Sequence, residues 1–285
     1  DLKRSDPSAY AGTNQIGKLG IERAHEANLL GKVGYQENLV NAQGRALQHT
    51  PQQSPVAGDD LISTLDISLQ QIAYEAMGDR RGAVVAMDPR NGDVLVFASS
   101  PAFDPNQFAQ GLSRSQYSAL QNDPGIPLFN RALRGQYPPG STVKPLIALA
   151  SLQYLKENPS KKHFCPGYFT LPDGKHRYRD WKKDGHGQMD MREAIAESCD
   201  VFFYEIALEL GIDKIHDFLV TFGLGSLSGI DIPGEKPGLV PSRAWKKSAF
   251  SRREDQSWYP GETVIAGIGQ GYMLTTPLQL AEATA

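Results

Sequence analysis

Pro139-Gly140-Ser141-Thr142-Val143-Lys144-Pro145 sets a hydroxyl and an amine three residues apart, just after a Pro-Pro-Gly break. Residues three apart on a helix share a face. Lys144 is therefore expected to reach Ser141, take its proton and leave an activated alkoxide. A serine hydroxyl is a weak nucleophile until a neighbouring base does this. The helix start adds unpaired N–H groups and the positive end of a dipole beside the reacting oxygen. Pro145 fits, because the first helical turn has no N–H bond to lose. The bland alternative is a serine that merely caps its helix.

A second element separates the two readings. Ser198-Cys199-Asp200 lies in a stretch read as one helix from Met191 to Leu210, ended by Gly211. A Ser-x-Asn/Asp placed after Ser-x-x-Lys is the second motif of serine acyltransferases that bind penicillin. Its hydroxyl can relay a proton, and its third residue can hold a substrate amide. Ser141 starts the only Ser-x-x-Lys in the chain, and Ser198 the only Ser-x-Asp or Ser-x-Asn.

Further stretches extend the pattern. They are Ile16-Gly17-Lys18-Leu19-Gly20-Ile21-Glu22-Arg23, Asn41-Ala42-Gln43-Gly44-Arg45 and Val85-Ala86-Met87-Asp88-Pro89-Arg90-Asn91-Gly92. Tyr178-Arg179-Asp180-Trp181-Lys182-Lys183, Gly267-Ile268-Gly269-Gln270-Gly271-Tyr272 and Thr276-Pro277 complete it. Over essentially its whole length the chain resembles a class B penicillin-binding protein, and within that family the elongation-type penicillin-binding protein 2 of Gram-negative bacteria. The resemblance implies a peptidoglycan D,D-transpeptidase that crosslinks stem peptides through a serine acyl-enzyme and is acylated by β-lactams. It assigns Ser141 as nucleophile, Lys144 as general base, and Ser198 and Asp200 as the second motif. No cofactor is expected for the chemistry. The family's third motif, Lys-Thr/Ser-Gly on a strand, is not found. Lys236-Pro237-Gly238 is the nearest string, and its proline cannot donate a strand N–H.

The resemblance further implies an α+β fold, a mixed three-layer arrangement with a β-sheet flanked by helices and a helical subdomain. Residues 1–60 are expected to be the remnant of an N-terminal pedestal. Residues 61–285 are expected to be the transpeptidase domain, cut before the third motif. The chain starts Asp1-Leu2-Lys3, so upstream sequence is expected to have been removed. A single N-terminal membrane anchor, a position on the periplasmic face of the inner membrane, and a membrane glycan polymerase of the elongation machinery as partner follow from the resemblance. A serine β-lactamase or D,D-carboxypeptidase is the nearest alternative. A β-lactam sensor or scaffold that never crosslinks is the alternative from another class.

Composition sets wider bounds. The chain has 285 residues, 40% hydrophobic and 21% charged, with a net charge of −3. That is an ordinary globular balance and gives no basis for nucleic-acid binding. No apolar run approaches the ~20 residues of a membrane helix. Local patterns place helices at Leu69–Met77, Ser141–Lys156, Ile212–Phe222 and Leu278–Ala285. Two β-rich runs, Gly82–Asp88 and Asp93–Ser99, flank Asn91-Gly92, a strong hairpin signal. Pro51 to Pro55 reads as a linker or exposed turn. Gly267 to Gly271 lacks the spacing of a nucleotide fingerprint and is read as a tight turn near the active site.

Cys165 and Cys199 are the only cysteines. Three readings stand: a disulfide, two unrelated buried thiols, or a metal site. Asp180 and His186 fall between them, and two thiolates, an imidazole and a carboxylate make a tetrahedral zinc set. His163, His176 and Asp184 are rival ligands. Relatives in the resembled group carry Asp, Asp, His and Cys at matching positions; Cys165 departs from the first of these but is also a good zinc ligand, so the resemblance favours structural zinc on Cys165, Asp180, His186 and Cys199. Tyr178, Trp181 and His186 are also candidates to line the cleft. For Trp181, a packing role is the favoured reading.

Overall fold

The computed structural model describes residues 9–10, 15–43, 45–49, 53–172 and 174–285. Of the stretch read as a linker, Pro51 and Gln52 lie outside the described residues. The chain divides into two compact units. One comprises 1–64, 103–119 and 229–235; the other comprises 65–102, 120–228 and 236–285.

In the first unit, two short helices, Gly20–Ala24 and Glu26–Leu29, precede a hairpin of Asn38–Val40 with Ala46–His49. Gln53 and Val56 pair antiparallel with Tyr35 and Lys32 through two isolated bridges. The segment 103–119 brings Phe103, Phe108 and Tyr117 edge to face. Asp231, from 229–235, accepts or shares the proton of His25 Nε2 at 3.0 Å.

In the second unit, helix Ile67–Met77 starts at Asp66, whose carboxylate takes the N–H groups of Ser68 and Leu69. It packs on an antiparallel hairpin, Gly82–Met87 with Val94–Ser100. Ala73, Met77, Val96 and Ala98 form the small core between them. Helix Pro277–Thr284, with a Thr276/Gln279 capping box, packs against the strand Gly82–Met87.

The larger core gathers around helix Asp200–Leu210. That helix buries Val201, Phe202, Phe203, Tyr204, Ile206, Ala207 and Leu210, so it is apolar on nearly every side, as a central helix must be. Each large side chain removed from water contributes about 1.5–3 kcal/mol. Helices Lys144–Tyr154, Ile212–Val220 and Pro260–Ala266 pack around it. Four three-residue strands lie between: His163–Cys165 with Gly187–Met189, and Tyr168–Thr170 with Arg177–Arg179. Helices and short sheets thus mix in an α+β fold, as expected. No helix among the described residues is long and apolar enough to cross a membrane.

Two element readings need correction. Met191–Leu210 is two helices, Met191–Ala196 and Asp200–Leu210. The break falls at Glu197–Cys199 without a glycine or proline. Ser198 N–H closes a tight bond to Ile195, Cys199 N–H reaches back to Ala194, and Ser198 adopts φ 53°. The helix beginning at Ser141 opens as a 3-10 turn, Gly140–Val143, before the α-helix Lys144–Tyr154.

Candidate active site

Ser141 sits exposed in the 3-10 turn, and Lys144 is the first residue of the α-helix that follows. The turn is fixed from outside. Gly140, at φ 59°, donates its N–H to the carbonyl of Gly269 at 2.9 Å. The approach is close enough that a Cβ on Gly269 would lie 2.3 Å from the Gly140 oxygen. The segment Gly267–Gly271 is thus a tight turn against the loop that carries Ser141. Just upstream, Tyr137 and Thr275 exchange backbone hydrogen bonds at 2.9 and 2.8 Å.

Lys144 is buried, with 2% of its side chain exposed. Its Nζ donates to Asp200 Oδ1 at 2.6 Å, to the Ser198 carbonyl at 2.8 Å and to Ser198 Oγ at 3.1 Å. It stands 5.4 Å from the Phe203 ring centroid. Ser198 Oγ in turn bonds Ser141 Oγ at 2.9 Å. Direct contact between Lys144 and Ser141 was the expectation, and it is not what forms. The Asp200 carboxylate and the two Ser198 oxygens draw Lys144 Nζ aside, and Ser198 Oγ bridges the two groups. The positive φ at Ser198 turns its carbonyl and its hydroxyl toward the same Nζ. Spacing along one helix could not reveal this, because Lys144 and Asp200 are 56 residues apart.

Asp180 holds the second motif in place. Its Oδ2 accepts the N–H groups of Asp200 at 2.8 Å and Val201 at 3.1 Å, the first two residues of the central helix. Its Oδ1 accepts from Lys182 N–H at 3.0 Å. A carboxylate from a neighbouring hairpin thus caps the helix and complements its dipole. Burial alone would push the Asp180 carboxyl up. The N–H groups of Lys182 and Val201, with His186 beside them, outweigh it and hold the carboxyl below its ordinary value.

The same carboxylate centres the metal-ligand candidates. Cys165 and Cys199 are both buried free thiols, each with Sγ 3.5 Å from Asp180 Oδ2. His186 Nδ1 lies 3.6 Å from Cys165 Sγ and 3.5 Å from Asp180 Oδ1. One donor atom from each of the four lies within 4.8 Å of every other. A tetrahedral zinc with Zn–S near 2.3 Å and Zn–N or Zn–O near 2.0–2.1 Å has donor-to-donor edges of about 3.5 Å. The four residues are the right donor types for that ion, and donors up to 4.8 Å apart would have to draw in to hold it. Burial pushes the Cys199 thiol up, and coordination is what would deprotonate it. Among the rivals, His163 is taken up by Glu157 and Glu205, and His176 stacks edge-on against Tyr178.

The cleft candidates divide. Trp181 is 62% exposed, and its Nε1–H donates to the Glu197 carbonyl, next to Ser198. Tyr178 packs among Phe169 and Tyr204. Lys236–Gly238 forms no strand; Lys236 N–H bonds the Leu133 carbonyl and the Pro237 carbonyl accepts from Gln279. Two pieces of the site were not anticipated: the ionic contact of Lys144 with Asp200, and the capping of the central helix by Asp180.

Comparison with known proteins follows the same lines. Residues 82–285 match the family model described as penicillin binding protein transpeptidase domain, and residues 1–63 match the penicillin-binding protein dimerisation domain. The peptidoglycan D,D-transpeptidase MrdA of Acinetobacter baumannii is 44% identical over 285 residues, covering 100% of this chain and 42% of that protein. The chain therefore spans less than half the length of that relative. The crystal structure of Pseudomonas aeruginosa PBP2 in complex with WCK 5153 is 46% identical with a TM-score of 0.87, covering 99% of this chain and 58% of that one. PBP2 of Helicobacter pylori, in complex with MreC, is 38% identical with a TM-score of 0.87, covering 98% and 51%.

Proposed function

Because the chain belongs to the class B penicillin-binding proteins, we propose that Ser141 is the acylated nucleophile of a peptidoglycan D,D-transpeptidase. In this reading 61–285 is the transpeptidase domain and 1–60 a remnant of the pedestal. The supporting observation is the unbroken path Ser141 Oγ, Ser198 Oγ, Lys144 Nζ, with contacts of 2.9 and 3.1 Å. Lys144, as the neutral amine, draws the Ser141 proton through Ser198. The Ser141 oxygen attacks the carbonyl of the penultimate D-alanine of a stem peptide. Asp200 stabilises the ammonium formed on Lys144. That ammonium returns the proton through Ser198 to the departing amine, and the terminal D-alanine leaves. An amine of a neighbouring stem peptide then takes the acyl group, and the crosslink forms. A β-lactam enters by the same attack, but its leaving amine stays tethered. Proton relay by positioned groups of this kind contributes about 10²–10⁴-fold to rate.

The zinc set belongs to this proposal as structure. Cys165, Asp180, His186 and Cys199 would hold the ion, and its charge would keep both thiols deprotonated. It would take no part in acyl transfer, and would pin the hairpins of 163–189 to the start of the helix bearing Asp200. Metal analysis of the purified protein should find close to one zinc per chain; a metal-free protein with both thiols titratable refutes the assignment.

The protein acts, in the same proposal, at the periplasmic face of the inner membrane. Its partners there are a glycan polymerase and, as for the H. pylori relative, MreC. The deciding experiment is intact mass of the full-length protein after incubation with a penicillin. A single persistent adduct, lost in Ser141→Ala, is expected. An adduct that survives that substitution refutes the assignment.

A further inference from the structure

Lys246 lies in helix Arg243–Ala249 and is only 3% exposed. Its Nζ pairs with Glu262 Oε1 and donates to the Ser257 carbonyl at 2.6 Å. The ring centroids of Tyr259, Trp258, Tyr272 and Phe250 stand 5.1, 5.8, 5.8 and 6.0 Å from it. A buried ammonium is costly unless a counter-charge and hydrogen bonds compensate it, and ring faces add to the compensation. The acyl transfer described above makes no use of this cation.

What the cation holds is the carboxylate of Glu262. Oε2 accepts the Tyr259 N–H at 2.8 Å, and Oε1 accepts the Tyr272 hydroxyl at 3.2 Å. One carboxylate thus ties together both ends of 259–272. The glycine-rich turn lies between those ends. Helix Pro260–Ala266 runs into Gly267, and Gly269 carries the carbonyl that holds Gly140. Thr275, three residues beyond Tyr272, pairs with Tyr137. The loop bearing Ser141 is therefore hung on 269–275 at two points. That segment is held in turn by Lys246 through Glu262 and Tyr272. A cleft of about 220 Å³ is bordered by Trp258, Glu262, Gly271 and Tyr272.

We propose that Lys246 is a positioning residue for acyl transfer, setting through Glu262 and Tyr272 the height of the Gly269 carbonyl and with it the placement of Ser141. The proposal rests on the reading of Ser141 as nucleophile. It predicts an effect on the chemical step and not on recognition, since Lys246 is buried and acts only through Glu262 and Tyr272.

The test uses the full-length protein with Lys246→Met, Lys246→Arg and Tyr272→Phe. Acylation by a fluorescent penicillin is resolved into the binding constant and the acylation rate. Amide hydrogen exchange of the peptide covering 137–141 is read on the same samples. Lys246→Met should lower the acylation rate about tenfold with binding within about twofold, because small misplacements of reacting groups cost rate steeply. Exchange at 137–141 should rise about tenfold as the loop opens more often. Lys246→Arg should recover most of the rate. Tyr272→Phe removes only a hydroxyl and should lower the rate about threefold; it decides the matter if Lys246→Met does not fold. Acylation rates and exchange that stay at parent values in the folded variants overturn the proposal. So does a loss in binding equal to the loss in rate. A parent protein that takes no penicillin refutes the nucleophile reading alone, and exchange at 137–141 still decides the role of Lys246.

Discussion

Replacing Asp180 by alanine should cost the central helix its cap. Three backbone N–H groups, those of Lys182, Asp200 and Val201, end on this one carboxylate at 2.8–3.1 Å. Asp180 is 5% exposed, so water does not readily replace it. Each donor left unsatisfied in such a place costs about 1–3 kcal/mol. Relaxation will recover part of that, which puts the substitution at about 3–6 kcal/mol. For a unit of this size each kcal/mol is worth about 2–4 °C in Tm, so the fall should be roughly 6–24 °C. Asp180→Asn keeps one acceptor oxygen and should cost about half as much. The assay is thermal unfolding with a chelator present in every sample, so that metal release does not enter the comparison. A fall of less than about 3 °C for Asp180→Ala would correspond to about 1 kcal/mol, and would refute the capping role. Loss of the cap should also loosen Ser198, and penicillin acylation measured below Tm should drop with it.

Three further outcomes follow from the same geometry. Ser198→Gly removes a side chain from φ 53° and the hydroxyl that bridges Lys144 and Ser141. It should leave Tm unchanged or raise it by the equivalent of about 1 kcal/mol, while acylation falls about a hundredfold; loss of stability without loss of acylation would contradict the relay. Gly269→Ala puts a methyl 2.3 Å from the Gly140 oxygen at φ 70°, so both Tm and acylation rate should fall, and an unchanged rate would free Ser141 from that turn. Asp190 is held below the usual carboxylate range first by the Glu193 N–H and then by the Lys162 ammonium. Its contribution to stability is therefore complete above the unfolded-state value of about pH 4 and is lost as pH falls through the lower folded-state value. Thermal unfolding between pH 5 and pH 2 should accordingly separate parent from Asp190→Ala at the upper end and bring them together at the lower.

The parts of the fold written in local chemistry could be read directly. Gly211 ends its helix, and Asn91-Gly92 turns the hairpin of Gly82–Met87 with Val94–Ser100, whereas the Asp66 cap, three residues before the predicted start at Leu69, was missed. The break at Ser198 could not be read that way, because no glycine or proline marks it. It is imposed by the Asp180 carboxylate, which arrives from a hairpin 20 residues upstream. The strands of 163–189 are three residues each and exist only because they pair, so no periodicity announces them. The residue types of the site were legible in their order along the chain. The direction in which Lys144 points was not, since Asp200 and Ser198 draw it across more than fifty positions. Lys246 gave no sign of its burial either. Its cage is assembled from Phe250, Trp258, Tyr259 and Tyr272, which are spread along the chain and are brought together only by the fold.

The seam between Gly140 and Gly269 is backbone against backbone. A carbon added to Gly269 collides with the Gly140 backbone, whereas one added to Gly140 meets open space and is opposed only by its φ of 59°. On the proposed reading of Ser141 as nucleophile, substitution at Gly269 is therefore a closed route to shifting the floor beneath it. A ligand that drew its affinity from main-chain groups on that floor would meet a surface that Gly269 cannot vary.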